Sequence, residues 1–419
     1  AMLGHSSNRL GNWHLNAEQP ADALRCHHEA LEIFETIGDW RGESSTLDLV
    51  AMTHAMIGDS TQSLHSYERA ISLLRHRDDR KTLSSALASA ALIAHGSWSS
   101  STSTIRGIPA SLSTDSGQPG EEAIRLAREI GWRSGEAFAA SRAGTAMIRL
   151  GDVRAGFRYL WDALDIAERI QHRQWMALIQ IDIGSNYLDM LLPELARQHL
   201  ESGLRHADET GSALLRTAAT GLLATALIQV GDDTTAEQLL QGKIDPARGP
   251  RLISEGVCWY AQALLLLDRQ QPEHALRTVD RVIASIPAGP AALPSEWLRL
   301  RGEILLARGR HDEAEASLND ALTVVVTHRS TLVHWRMLAS LRRLYLLTGR
   351  HDEATAAQDA GLALVNDLAA QIDDEVRQAF LTNARRVLDA PQPSAASGHT
   401  AGTNAAGLTA RELDVLRHL

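Results

Sequence analysis

Lysine is almost missing from this chain: Lys81 and Lys243 are the only two in 419 residues, although lysine and arginine together number 41. The basic side chains are therefore nearly all arginines, a usage that reads as the coding bias of a GC-rich genome and not as phosphate recognition. Against 51 acidic residues they leave a net charge of −10, which argues against this stretch gripping a phosphate backbone by itself. Cysteine is equally scarce. Cys26 and Cys258 stand far apart, give no disulfide framework and suit a reducing cytosol, so a cytoplasmic location is expected. Aromatics make up 4% of the chain, and no alternating runs rich in Val, Ile and Thr occur, so strands are not expected. No apolar run approaches ~18 residues, which leaves no membrane span, and no signal peptide precedes Leu3.

Signatures of chemistry are missing as well. The histidines are scattered, and neither H-E-x-x-H, a G-x-S-x-G elbow nor the phosphate-cradling G-x-x-x-x-G-K occurs. Acidic pairs such as Glu121-Glu122 and Asp373-Asp374 fall at helix starts, where the helix dipole accounts for them. No enzyme and no metal site are expected, and this stretch is expected to hold no cofactor.

What is present is repetition. Gly309-Arg310-His311-Asp312-Glu313-Ala314 returns letter for letter as Gly349 to Ala354. Looser copies stand at Gly58-Asp59, Gly151-Asp152 and Gly231-Asp232. Glycine closes one helix in the left-handed conformation, and an acidic residue after it suits the unpaired N–H groups that open the next. The hexapeptide reads as the tight turn of a helical hairpin, with His311 and His351 spaced for a turn and not for a metal.

A small residue marks the second helix of each hairpin at Ala30, Ala70, Ala123, Ala163, Gly203, Lys243, Val282, Ala321 and Gly361, in steps of 40, 53, 40, 40, 40, 39, 39 and 40. A second column runs seven residues earlier (Ala23, Ser63, Gly156, Ala196, Ala236, Ala275, Ala314, Ala354). A third lies in the first helices (Gly11, Ala51, Gly144, Gly184, Ala224, Ala263, Gly302). Small residues there let helix backbones approach, while neighbouring leucines and isoleucines fill the seams. No hairpin buries its face alone, so the repeats must stack. Lys243 and Val282 make repeats six and seven degenerate.

These columns resemble the tetratricopeptide repeat in a longer, ~40-residue form, covering residues 3–372 as nine repeats. The resemblance implies an all-α, right-handed superhelix whose concave face is lined by first helices. An irregular insertion at 96–120, rich in Ser and Thr, supplies the one long step and is expected to be an exposed loop. Proline-containing connectors are expected at 245–250 and 287–294. Residues 373–389 read as a capping helix with Val376, Phe380, Leu381, Val387 and Leu388 on its apolar side, and 390–407 as a flexible linker.

Residues 408–419 begin Leu408-Thr409-Ala410-Arg411-Glu412-Leu413-Asp414-Val415-Leu416. Thr409 and Glu412 form a T-x-x-E capping box that opens a helix. The string resembles the opening of the LuxR-type helix-turn-helix domain, on whose pattern Thr409, Arg411 and Glu412 fall, with Asp414 replacing the usual Glu. The pattern stops before a recognition helix, so this stretch alone is expected to read no bases. A tetratricopeptide array leading into such a domain resembles the large, maltose-activator-like ATP-binding LuxR-type regulators. That resemblance implies an ATP-binding domain upstream, with which the repeats would work. It also implies DNA binding only through the complete C-terminal domain, a possible homo-oligomer, and a repeat region that senses an inducer. The chain opens inside a helix pattern and is expected to be a piece of a longer protein.

Projecting the first helices onto the concave wall gives mostly Leu, Ala, Ser and Met. Repeats four and five differ: Arg142 and Arg149 lie seven apart on one helix, Asp182 and Asp189 seven apart on the next, and Tyr260, Arg299 and Glu303 continue the polar lining. These residues are candidates for holding a small-molecule inducer or a peptide in the groove. The plainer account pairs Arg142 with Asp182 and Arg149 with Asp189 as ion pairs between repeats. The rival function is a scaffold that binds a peptide or protein partner and no small inducer.

Overall fold

A computed structural model describes residues 1–95, 119–285, 294–327 and 329–389, with backbone alone for 92–95. Most of the insertion, the connector at 286–293, the linker and the LuxR-like residues Thr409, Arg411 and Glu412 lie outside the described residues.

Helices occur in pairs, one pair per repeat. The first three are α1 (Met2–Asn16) with α2 (Pro20–Ile37), α3 (Trp40–Met56) with α4 (Ser60–Arg75), and α5 (Arg80–His95) with α6 (Pro119–Glu129). The middle three are α7 (Arg133–Leu150) with α8 (Val153–Arg169), α9 (Arg173–Asp189) with α10 (Pro193–Thr210), and α11 (Ala213–Gln229) with α12 (Asp233–Leu240). The last three are α13 (Ile253–Asp268) with α14 (Pro272–Ser285), α15 (Ser295–Ala307) with α16 (His311–Thr327), and α17 (Thr331–Leu347) with α18 (His351–Ala369), after which α19 (Asp374–Leu388) packs on α17 and α18. No strand occurs among the described residues. None of their helices is long and apolar enough to cross a membrane.

Among the described residues, the turn inside each hairpin has one left-handed residue. Glycine takes that place at Gly58, Gly151, Gly231, Gly309 and Gly349, whereas Glu18, Leu191 and Gln270 hold it at φ 59°, 55° and 58°. The aspartate that follows is a true cap where the motif is Gly-Asp: Asp59, Asp152 and Asp232 each accept a hydrogen bond from the backbone N–H three residues on. In the Gly-Arg-His-Asp-Glu-Ala turns the pattern differs. Arg310 and Arg350 take the cap position's neighbourhood and donate to Glu313 and Glu353 in the first helical turn.

Two boundaries depart from the sequence reading. Pro119 and Gly120, assigned to the insertion, are buried residues that open α6. Proline suits the first turn because its missing N–H would have found no partner there. Lys243 stands exposed beyond the eight-residue α12, which ends at Leu240; Gly242 at φ 70° and then Pro246 turn the chain out of the helix. Val282, by contrast, is buried in α14.

First and second helices occupy different layers. On α8 the buried residues follow a single stripe, Val153, Gly156, Phe157, Leu160, Ala163, Leu164 and Ala167, the signature of a helix with one side in solvent. On the first helices burial is unbroken for two or three turns: Ala139–Ala146 in α7, Ile181–Asp189 in α9 and Thr217–Ile228 in α11. Such helices are covered on every side. Within a hairpin the small columns allow the approach: a Cβ on Gly144 would lie 2.6 Å from the Gly156 carbonyl, and one on Gly156 2.5 Å from the Gly144 carbonyl.

The row of hairpins coils back on itself. Thr217 donates to Glu18 at 3.0 Å across 199 residues, and Asn383 Nδ2 donates to the Leu191 carbonyl at 2.7 Å across 192, so one turn takes about five 40-residue repeats. Gly58 lies near Ile253 and Gly151 against Thr331 in the same way. Thus the hairpin turns of repeats one, two, four and five rest on the starts of α11, α13, α17 and on α19.

Candidate functional site

Because first helices recur every 40 residues in the same orientation, residues 40 apart on neighbouring first helices face each other. Arg142 on α7 pairs with Asp182 on α9, and Arg149 pairs with Asp189 at 3.5 Å. Ser141 Oγ donates to Asp182 at 2.6 Å and accepts from Arg142 at 3.1 Å. The guanidinium of Arg142 also lies over the Phe138 ring, 5.5 Å from its centroid.

Repeats eight and nine repeat this arrangement with the signs reversed. Glu296 and Glu303 stand seven apart on α15, Arg336 and Arg343 seven apart on α17. Arg336 lies 3.2 Å from Glu296, and Arg343 pairs with Glu303, which also accepts from Ser340 at 2.5 Å. Arg299 bridges the two glutamates, at 2.9 Å from Glu296 and 3.8 Å from Glu303. Tyr260 donates to Glu296 at 3.2 Å. Coiling then joins the two groups: Arg336 also reaches Asp189, 3.8 Å away on the preceding turn. Of the concave-wall residues singled out from sequence, Arg149, Asp189, Tyr260, Arg299 and Glu303 therefore belong to one connected network, and Arg142 and Asp182 form a further pair two helical turns along the same two helices.

Network and pair are not laid out along an open groove. Arg142 and Arg149 are 5% and 3% exposed, Asp182 and Asp189 1% and 2%. Were these ion pairs exposed, each would be worth only ~0–1 kcal/mol. Enclosed by the next turn of the coil, they are buried pairs, where losing one partner strands the other charge at a cost of about 3–5 kcal/mol. The electrostatics follow from that enclosure. Burial pushes the Tyr260 hydroxyl up to about 12, and the Glu296 charge adds to the shift. Burial also works against ionisation of Glu296 and Glu303, yet Arg299 and Arg336 around the first, and Arg343 and Arg299 around the second, outweigh it and hold both below the ordinary carboxylate range. Burial opposes the Arg299 charge too, but Glu296 and Glu303 raise its pKa above normal.

Three donors in this interior have no protein partner. Arg142 Nε, Thr145 Oγ1 and Arg149 Nε are buried and unpaired. They stand at i, i+3 and i+7 on α7, one stripe of one helix. Network and pair together hold one more guanidinium than carboxylates: Arg142, Arg149, Arg299, Arg336 and Arg343 against Asp182, Asp189, Glu296 and Glu303. Glu296 Oε1 is buried without a hydrogen-bond partner as well, so the interior carries an excess of unpaired donors beside one unpaired acceptor atom.

Sequence reasoning missed Glu296, Arg336, Arg343, Ser141 and Ser340. A signal existed: opposite charges exactly one repeat apart, at 296/336 and 303/343 as at 142/182 and 149/189. No sequence signal marked the Arg336–Asp189 contact, which depends on the pitch of the coil.

Residues 3–76 match the profile of the tetratricopeptide repeat family. Among solved structures the chain is similar to a Rap protein in complex with competence and sporulation factor, at 13% identity and a TM-score of 0.38 over 83% of this chain and 82% of that one. It is similar as well to yeast Tom70, at 14% identity and a TM-score of 0.36 over 92% and 95% of the two chains. A third likeness is to the Cut9 and Hcn1 hetero-tetramer of the APC/C, at 11% identity and a TM-score of 0.36 over 92% and 87%. No curated protein matches the sequence. The fold is an all-α, tetratricopeptide-like superhelix of nine helical hairpins followed by one more helix.

Proposed function

We propose that this chain is the sensing region of a LuxR-type transcriptional regulator, which takes an inducer or peptide between the turns of its superhelix and thereby controls oligomerisation and DNA binding by the whole protein. The regulator half of this reading is supported by sequence: the LuxR-like string with Thr409, Arg411 and Glu412 follows the repeats. In the same scheme an upstream nucleotide-binding domain supplies the ATP switch, and DNA is met only through the complete C-terminal domain.

The observation that carries the binding half is the row of unpaired donors on α7, Arg142 Nε, Thr145 Oγ1 and Arg149 Nε. A buried N–H or O–H without an acceptor costs about 1–3 kcal/mol. A ligand that supplies acceptors recovers that loss and gains charge-assisted hydrogen bonds from guanidinium groups. Carboxylates and peptide carbonyls fit this row of donors, and a donor group on the same ligand would suit the unpaired Glu296 Oε1.

A thermal-shift screen of the chain against metabolites and peptides tests the reading, with the double variant Arg142→Met/Asp182→Leu as control. Replacing both members of a buried pair by apolar residues of similar volume leaves stability nearly unchanged. A carboxylate-bearing ligand should raise the melting temperature of the wild type and not that of the double variant. If both respond equally, the ligand binds elsewhere. If only proteins or long peptides stabilise the chain, it acts as an interaction scaffold without a small inducer.

A further inference from the structure

The residues of this interior are buried, and the next turn of the coil covers them along the line where successive turns meet. Neighbouring hairpins share continuous apolar packing: Leu160, Ala163 and Ala167 of α8, Ile181 of α9 and Leu200 of α10 are all at or below 1% exposure in one cluster. Between turns α7 and α17 also approach closely, but less extensively, and the side-chain contacts there include polar ones: Glu18 with Thr217, Arg154 with Asp373 at 3.6 Å, the Leu191 carbonyl with Asn383, and Arg336 with Asp189. Gly151 adds one van der Waals contact, with Thr331. An interface with less helix-to-helix contact than that between neighbouring hairpins is the one expected to part first, with the packing between repeats kept.

We propose that this seam is the access route to the interior, and that Arg336 is its latch. Arg336 is the residue that binds carboxylates on both sides: Glu296 on the neighbouring first helix of its own turn and Asp189 on the turn before. Parting the seam keeps the Glu296 bond and breaks the one to Asp189. That uncovers the α7 donor row and frees Asp189 to remain with Arg149. The inference rests on the reading of the interior as a binding surface, and names how that surface is reached. An acceptor-bearing ligand that engages Arg149 or Arg336 would compete with Asp189 and hold the seam apart, so occupancy and shape are coupled.

Two variants of the full chain test the seam with no ligand present. In Gly151→Cys/Thr331→Cys the new Cβ at 151 would lie 3.1 Å from that of Thr331, a few tenths of an ångström short of the usual disulfide range of roughly 3.5–4.5 Å, so the two backbones must ease apart slightly to take the bridge. The native Cys26 and Cys258 are buried and do not interfere. The left-handed backbone at 151 strains the new residue in both redox states, so the reduced form of the same variant is its own control. Oxidation should slow hydrogen exchange of the α7, α9 and α17 amides to the rate set by global unfolding. Arg336→Met should speed exchange of those amides and increase the small-angle scattering radius of gyration, with helical content unchanged. Identical exchange in the oxidised and reduced forms would overturn the seam as a route. Unchanged exchange in folded Arg336→Met would remove Arg336 as the latch. Neither result depends on whether any ligand is found, so failure of the seam is distinct from failure of the binding reading.

Discussion

At Asp182 the difference between a surface and an interior charge is largest. Asp182→Ala leaves Arg142 buried beside an empty place, and a loss of about 3–5 kcal/mol is expected in urea melts. Arg142→Met/Asp182→Leu should recover most of it. Two other buried groups give pH dependence of opposite sign. Burial raises the Asp48 carboxyl to about 7, with Ser85 as a weak hydroxyl partner at 3.5 Å and Tyr67 nearby. Unfolded, it ionises near 3.8, so its contribution is fully present below that pH and is lost as pH rises to about 7. Asp48→Asn should therefore stabilise at pH 8, by at most on the order of 4 kcal/mol, and be neutral near pH 4. His27 is wholly buried, with Nδ1 3.2 Å from Asn8 Oδ1, and burial lowers it to about 4. Its contribution is present above 6.5 and is lost as pH falls to about 4. Thermal melts of His27→Gln and Asp48→Asn across pH 4–8 separate the two. The sequence carried no mark of either residue, since burial of a single polar side chain is set by what packs over it.

At the scale of the helix, sequence and structure agree most closely. Apart from Lys243, which lies beyond α12, the small columns fall on the helices where the 40-residue steps placed them, because a glycine at positive φ and an alanine at a helix crossing are each dictated by local geometry. Capping was legible only in part. Asp152 accepts from the Ala155 N–H at 3.3 Å, and Asp152→Ala should cost ~1 kcal/mol. Asp352, one residue into α18 where no side-chain cap exists, should cost less when changed to Ala, on the order of 0.3–1 kcal/mol from the helix dipole alone. Chemical denaturation of the two variants decides between cap and dipole. Ala163 in α8 is fully buried between α7 and α9, and Ala163→Trp should overpack that junction by about 1–3 kcal/mol or more.

Over the whole molecule the two kinds of interface should differ in strength. Leu160→Ala opens a cavity in the apolar packing of the repeats, beside Gly144, and should cost about 2–5 kcal/mol. Thr217→Val removes the bond to Glu18 across the seam and should cost about 1 kcal/mol. Equal losses in urea melts would mean that the turns of the coil are bound as firmly as the repeats.

What the sequence determined by itself was everything that repeats: hairpins of two helices, the layer each helix occupies, and opposite charges one repeat apart on first helices. Periodicity encodes these because each depends only on residues within one repeat or its neighbour. Which face those charges finally meet was decided by tertiary structure alone. The coil returns after about five repeats, and small rotations added at every junction set where Arg336 arrives. No stretch of sequence near Asp189 records that arrival. An open polar wall therefore became a buried network, because the pitch of the superhelix, summed over repeats, brings α17 over α7 and α9.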